Sequence, residues 1–123
     1  MHSATRLYKA VSEKIASPRT TEADLLLEAA FRMQKVQGNW HSKANNDLDD
    51  ALRYNRMLWT IFISTVTKPD NPLPQPIRQN VANLGIFVMK HTISILAEPQ
   101  PEKLSTLINI NRNLAAGLGA KAA

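Results

Sequence analysis

Three histidines, His2, His41 and His91, are the residues best suited to metal or acid–base chemistry in this cysteine-free chain of 123 residues. A zinc-binding helix needs two histidines one turn apart, and these three are scattered, with no thiolate to complete a set. They read as surface or boundary residues. Nucleophilic catalysis needs a hydroxyl aimed at a base, yet no serine lies in a nucleophile-elbow context. His91 and Thr92 are consecutive on one helix and do not project at each other. Asp49 and Asp50 are likewise adjacent, and a helix turns them about 100° apart, so they share neither a proton nor a metal. No glycine-rich loop offers to cradle a phosphate. None of these residues, in type and spacing, supports a metal site, a catalytic nucleophile, a phosphate cradle or a paired-carboxylate centre.

The remaining polar and aromatic candidates point to packing or to a partner. Trp40 and Trp59 could stack on bases, but Trp59 falls in a helical apolar stripe and reads as core. Asn55 and Asn111 each stand where a leucine would otherwise sit, and a buried amide must find hydrogen-bond partners. They either fix helix register, with each other as one option, or hydrogen-bond a docked partner helix.

Five helices must position these residues. Leu7, Val11 and Ile15, with Tyr8 beside them, predict a short helix over Thr5–Ala16 that ends at Ser17-Pro18. A second runs from near Pro18 to about Gln37, burying Ala23, Leu26, Leu27, Ala30, Phe31 and Met33, and Gly38 stops it. Asn39–Asn46 is a polar connection. A central helix follows, with Leu48, Ala51, Leu52, Leu58, Trp59, Phe62, Ile63 and Val66 inward and an exposed Asp49–Arg53 pair. The turn Lys68-Pro69-Asp70-Asn71-Pro72-Leu73-Pro74 ends it, because proline disfavours helical backbone in the residue before it.

Pro74 and Pro76 open the next helix, with Ile77, Val81, Leu84, Val88 and Ile95 as its inner stripe, flanked by Phe87 and Leu96. Gly85 in that helix predicts the close approach of another helix. A last helix carries Leu104, Leu107, Ile108, Asn111, Leu114 and Leu118 after Glu98-Pro99-Gln100-Pro101, ends at Gly117–Gly119, and leaves a fraying tail. No segment alternates with a period of two. The expected class is all-α: a compact bundle of four main helices plus a shorter N-terminal one, in a single domain over residues 1–123.

Composition sets further bounds. With 44% hydrophobic and 20% charged residues the chain is expected to fold. No run approaches the roughly 20 apolar residues of a bilayer crossing, and the N-terminus lacks a signal peptide's apolar stretch, which predicts a cytoplasmic protein without membrane insertion. The net charge of +5 is spread along the chain, and no Lys/Arg cluster argues for direct nucleic-acid binding.

Four motifs in order carry a resemblance. Arg56-Met57-Leu58-Trp59-Thr60-Ile61, Pro69-Asp70-Asn71-Pro72-Leu73-Pro74, Leu84-Gly85, and Ile110-Asn111-Arg112 leading to Gly117-Leu118 resemble the flagellar biosynthesis regulator FlaF family of alphaproteobacteria. Ser17-Pro18-Arg19 matches the family's usual start of its first long helix. The resemblance implies a small cytoplasmic protein, not an enzyme, required for flagellin production alongside a second regulator, FlbT. It further implies a secretion chaperone that binds flagellin and couples its synthesis to flagellum assembly. Flagellin's terminal segments are amphipathic and disordered before assembly, so a helical groove could shelter them. Two alternatives stay open: an RNA-binding regulator of flagellin translation, and an adaptor acting through an exposed apolar face. For the binding face the off-stripe residues Ile61, Leu73, Ile86, Met89 and Ile93 are candidates, together with Asn55 and Asn111.

Overall fold

Proline and glycine set where the helices begin and end. The computed structural model describes residues 19–41 and 45–119, which form four helices: α1 (Arg19–Gly38), α2 (Asn45–Val66), α3 (Gln75–Ala97) and α4 (Pro101–Gly117). Among the described residues there is no strand, so the class is all-α. The helix expected over Thr5–Ala16, its Ser17-Pro18 boundary and the tail from Ala120 lie outside the described residues. Pro76 and Pro101 occupy the first turns of α3 and α4, where a missing N–H is no loss. Beyond α4, Gly119 takes the left-handed φ of +105° that an ordinary side chain would strain.

Asn71 pins the proline-rich turn between α2 and α3. Its Nδ2 donates to the Thr65 carbonyl at 3.2 Å, while its Oδ1 accepts from the Leu73 N–H at 2.9 Å. Arg78, one turn into α3, donates to the Lys68 carbonyl at 3.2 Å. A cation there complements the negative end of α2. The turn therefore aims α3 back along α2.

Each helix runs antiparallel to the next. α1 packs most extensively on α4, α2 lies between α1 and α3, and α3 touches α4 only sparsely. One apolar cluster links the helices, centred on Leu26, Met33, Leu58, Trp59, Val88, Ile95, Leu104 and Leu107. At its middle Asn111 and Asn55 face each other, both wholly buried. Asn111 Nδ2 donates to Asn55 Oδ1 at 2.7 Å and to the Leu26 carbonyl at 3.3 Å, and the Trp59 indole N–H donates to Asn111 Oδ1 at 3.0 Å. One amide thus ties α4 to both α1 and α2.

Several inward faces differ from the expected ones. On α1, Leu25 and Ala29 are buried while Leu27 and Phe31 are exposed, because alanines occupy the line along which neighbouring backbones approach. The buried line of α3 is Val81, Gly85, Val88, Thr92 and Ile95, a strict alternation of four and three. Leu84 is half-buried, and Ile77, Phe87 and Leu96 are exposed. The seam passes through Gly85 because α2 comes so close there: a Cβ on Gly85 would stand 2.5 Å from Ile63 Cδ1 and Cγ1 and 3.5 Å from Trp59 Cε3. Larger residues are displaced to the flanks. No ion pair joins Asp49 to Arg53; among the described residues the pairs formed are Arg32–Glu28 and Lys103–Glu98.

Asn111→Leu strands the Trp59 N–H and the Asn55 amide, so it should lower the unfolding free energy measured in urea by roughly 2–5 kcal/mol. Asn55→Leu should cost less, because Asn55 Nδ2 already lacks a partner among the described residues and Asn111 keeps Leu26 and Trp59. Gly85→Ala should fail to stabilise the native chain, since overpacking against Ile63 offsets the helix propensity gained. In an Ile63→Ala background the same change should stabilise by about 1 kcal/mol.

Candidate partner-binding surface

α3 is more apolar than its share of the core requires. Against expectation, it is by length and composition alone long and apolar enough to cross a membrane, because only Arg78 and Lys90 in Gln75–Ala97 carry charge. A core helix reaches such apolarity by being mostly buried, yet only 28% of its most apolar stretch is buried. The surplus lies on its flanks.

One flank is a second stripe displaced by a single residue from the buried seam. Ala82, Ile86, Met89, Ile93 and Leu96 repeat the four–three spacing and lie about 100° around the helix from it. Ala82 and Met89 are half-buried, whereas Ile86, Ile93 and Leu96 are 53%, 66% and 44% exposed. Beside Leu96, α2 contributes Asp49, Arg53 and Arg56 around a hollow of about 120 Å³ floored by Leu52 and Thr92. An apolar line edged by mixed charge is the pattern of a helix-binding face.

The candidate residues therefore separate. Ile86, Met89 and Ile93 stand together on this stripe. Leu73 sits half-buried in the turn before α3, packed against the core. Ile61, at 6% exposure, is a core residue, because α2 is enclosed by both α1 and α3 and buries a face wider than one stripe. Asn55 and Asn111 are spent on each other and on Trp59 and Leu26, which leaves them no surface for a partner. Leu96, expected to flank the inner stripe, lies one residue after Ile95 of the buried seam, and that position places it outward.

Elsewhere the chemistry is structural. Among the described residues no group of three or more His, Asp or Glu comes together as a metal site. His91 stacks on Phe87 at 5.5 Å and donates from Nε2 to the Lys103 carbonyl at 2.9 Å. Thr92 donates its hydroxyl to the Val88 carbonyl at 2.7 Å and is turned away from His91. Between α1 and α2 a cleft of about 390 Å³ is lined by Glu28, Arg32, Lys35, Asp47 and Asp50 around Phe31 and Ala51. Its charges are mixed, unlike the uniform positive lining that phosphate recognition demands. At its margin Arg32 pairs with Glu28 at 2.9 Å and lies over the ring of the buried Tyr54, 4.0 Å from its centroid.

The family model described as "Flagellar protein FlaF" matches this chain over residues 4–118. The chain belongs to the FlaF family. The match takes in all four helices and the segment ahead of α1, and it makes the chain a member of a flagellar family rather than of an enzyme family. Neither the curated proteins nor the solved structures yielded a match. On this FlaF chain, the outer stripe of α3 is the surface whose composition calls for a partner.

Tyr54 supplies a pH test of the α1–α2 packing. Burial raises its phenol above the ordinary value of 10.0, Arg32 opposes that rise, and Glu28 adds to it. The neutral phenol is favoured in the folded state, so its contribution is complete below pH 10 and is lost as pH climbs through the raised value. Urea unfolding from pH 9 to 11.5 should show stability falling above pH 10, and Tyr54→Phe should flatten that fall.

Proposed function

We propose that this FlaF-family chain binds flagellin in the cytoplasm as a secretion chaperone and so couples flagellin synthesis to flagellum assembly. The observation that carries the reading is the outer stripe of α3, where Ile86, Met89 and Ile93 line one face of a helix whose apolarity the core leaves unused. An export substrate held unfolded exposes amphipathic segments, and an apolar stripe with a charged edge can cover their apolar sides before release. Arg53, Arg56 and Asp49 at the edge supply register to the incoming helix rather than most of the affinity. A FlbT-type regulator would read the bound or free state from another face.

Isothermal titration with flagellin from the same organism tests this. The wild-type chain should bind. Ile86→Asp and Ile93→Asp should each weaken binding about tenfold or more, since burying a new carboxylate at such a site costs about 1.5 kcal/mol or more. Their melting temperatures should stay within a few degrees of wild type, because both side chains are already half exposed or more. Tight binding of a FlbT-type protein with no heat from flagellin would sink the chaperone reading and favour an adaptor.

A further inference from the structure

The outer stripe of α3 is apolar along its whole length, but its border on α2 is not uniform. Gly85 lies against Ile63, while Thr92 and Leu96 line the hollow of about 120 Å³ together with Arg53 and Arg56. The two helices therefore run antiparallel, with both arginines beside the Leu96 end of the stripe. From Met57 to Val66 α2 carries no charged residue, so toward Ile86 the border is neutral. Charge on the α2 border is confined to one end.

That end holds cations without an acceptor. Arg32 pairs with Glu28, Arg78 donates to the Lys68 carbonyl and Arg112 donates to Gln34, whereas the exposed guanidinium groups of Arg53 and Arg56 engage no acceptor among the described residues. Three residues apart, they share one side of α2, where like charges repel. Asp49, one turn earlier, forms no ion pair with either. Leu52 and Thr92 floor the hollow, and the Thr92 hydroxyl is committed to the Val88 carbonyl. An anion entering here meets two guanidinium forks as donors and apolar surface alongside. A side-chain carboxylate fits that pairing, since each fork can donate two parallel N–H bonds to it. A phosphate fits less well, because Asp49 on the same rim opposes its second charge and two cations fall short of a phosphate-tracking array.

We propose that Arg53 and Arg56 form a carboxylate anchor: they take one Asp or Glu side chain at one end of the amphipathic helix lying along the Ile86–Leu96 stripe, and so fix that helix's direction. Ile86 to Leu96 spans about 15 Å, so the segment recognised is about three turns long. Its apolar residues cover the stripe, and its acidic residue stands at the Leu96 end. A segment laid the other way sets its acid against the neutral border near Ile86 and leaves both arginines unpaired, which disfavours it. The proposal rests on the α3 stripe being the flagellin-binding face, and adds the chemistry and polarity of the bound segment.

Calorimetric titration of the full-length chain with flagellin from the same organism tests the anchor apart from the stripe. Arg53→Glu and Arg56→Glu should each weaken binding about tenfold. Wild-type affinity should fall between about 50 and about 300 mM salt, and Arg53→Gln combined with Arg56→Gln should remove most of that dependence. Arg112→Glu makes the same change in net charge on the α1–α4 side and should alter binding less than about twofold. All three arginines are exposed, so melting temperatures should stay near wild type; the glutamine pair adds no charge and decides the matter if a reversal variant melts early. Wild-type binding that Ile86→Asp weakens but no change at Arg53 or Arg56 affects would overturn the anchor and leave the chaperone reading standing. An equal loss in Arg112→Glu, or tighter binding by Arg53→Glu, would overturn the anchor as well. So would a flagellin-message RNA that shifts on a gel with wild type and not with the glutamine pair, which assigns the arginines to phosphate. Flagellin that does not bind the wild-type chain at all would remove both readings.

Discussion

Asn111 brings an amide into the middle of an apolar bundle, and the arrangement of the other helices depends on satisfying it. A buried amide without partners is unfavourable by kcal/mol amounts, so the register of three helices is held to the one that places Trp59, Asn55 and the Leu26 carbonyl around it. A leucine at 111 would fill similar space with no such demand on register. Apolar contacts drive the helices together, and the amide selects which of the near-equivalent packings is adopted. Asn55 is the less satisfied partner, since its Nδ2 donates to none of the described residues.

From that central tie the rest of the architecture follows. With α1, α2 and α4 joined through Asn111, α3 is added from the α2 side, where Gly85 lets it settle against Ile63 and Trp59. Close approach along one narrow seam has a geometric consequence: a helix held by a single four–three line exposes everything to either side of it. The flank toward α4 and the flank away from it are both apolar, which is why α3 has the composition of a spanning helix while staying mostly unburied. The same glycine that tightens the α2–α3 contact thereby sets out the stripe for which we propose a partner.

Membership of the FlaF family makes this a flagellar protein, and the proposed chaperone role is one that needs what α3 offers. A chaperone for export must hold apolar segments firmly enough to stop aggregation and loosely enough to give them up. A shallow stripe on a rigid helix suits that demand better than an enclosed pocket, because partial burial of a few side chains limits affinity. The charged residues of the described chain are dispersed or paired across short spans, as in the Arg32–Glu28 bridge and the mixed cleft around it.

The sequence by itself determined the all-α class and the approximate positions of the four described helices, since prolines, glycines and an apolar period near 3.6 act locally; α2 begins earlier than expected, at Asn45, inside the Asn39–Asn46 stretch read as a connection. It also identified Trp59 as core and Gly85 as a point of close approach, and the order of its short motifs was enough to show the family resemblance. Size misled where hydrophobicity was taken as depth: Leu27, Phe31 and Ile77 are large yet outward, while Ala29, Gly85 and Thr92 are small or polar yet buried. Which of several apolar lines on a helix becomes the seam is decided by how closely a neighbouring backbone can approach, and that is a property of two helices together. For the same reason only the tertiary structure could decide that Asn55 and Asn111 meet each other, that Ile61 is enclosed, and that Ile86, Met89 and Ile93 share an open face. Hydrogen-bond partners 52 to 85 positions apart in the chain are brought together by packing, and no local pattern encodes them.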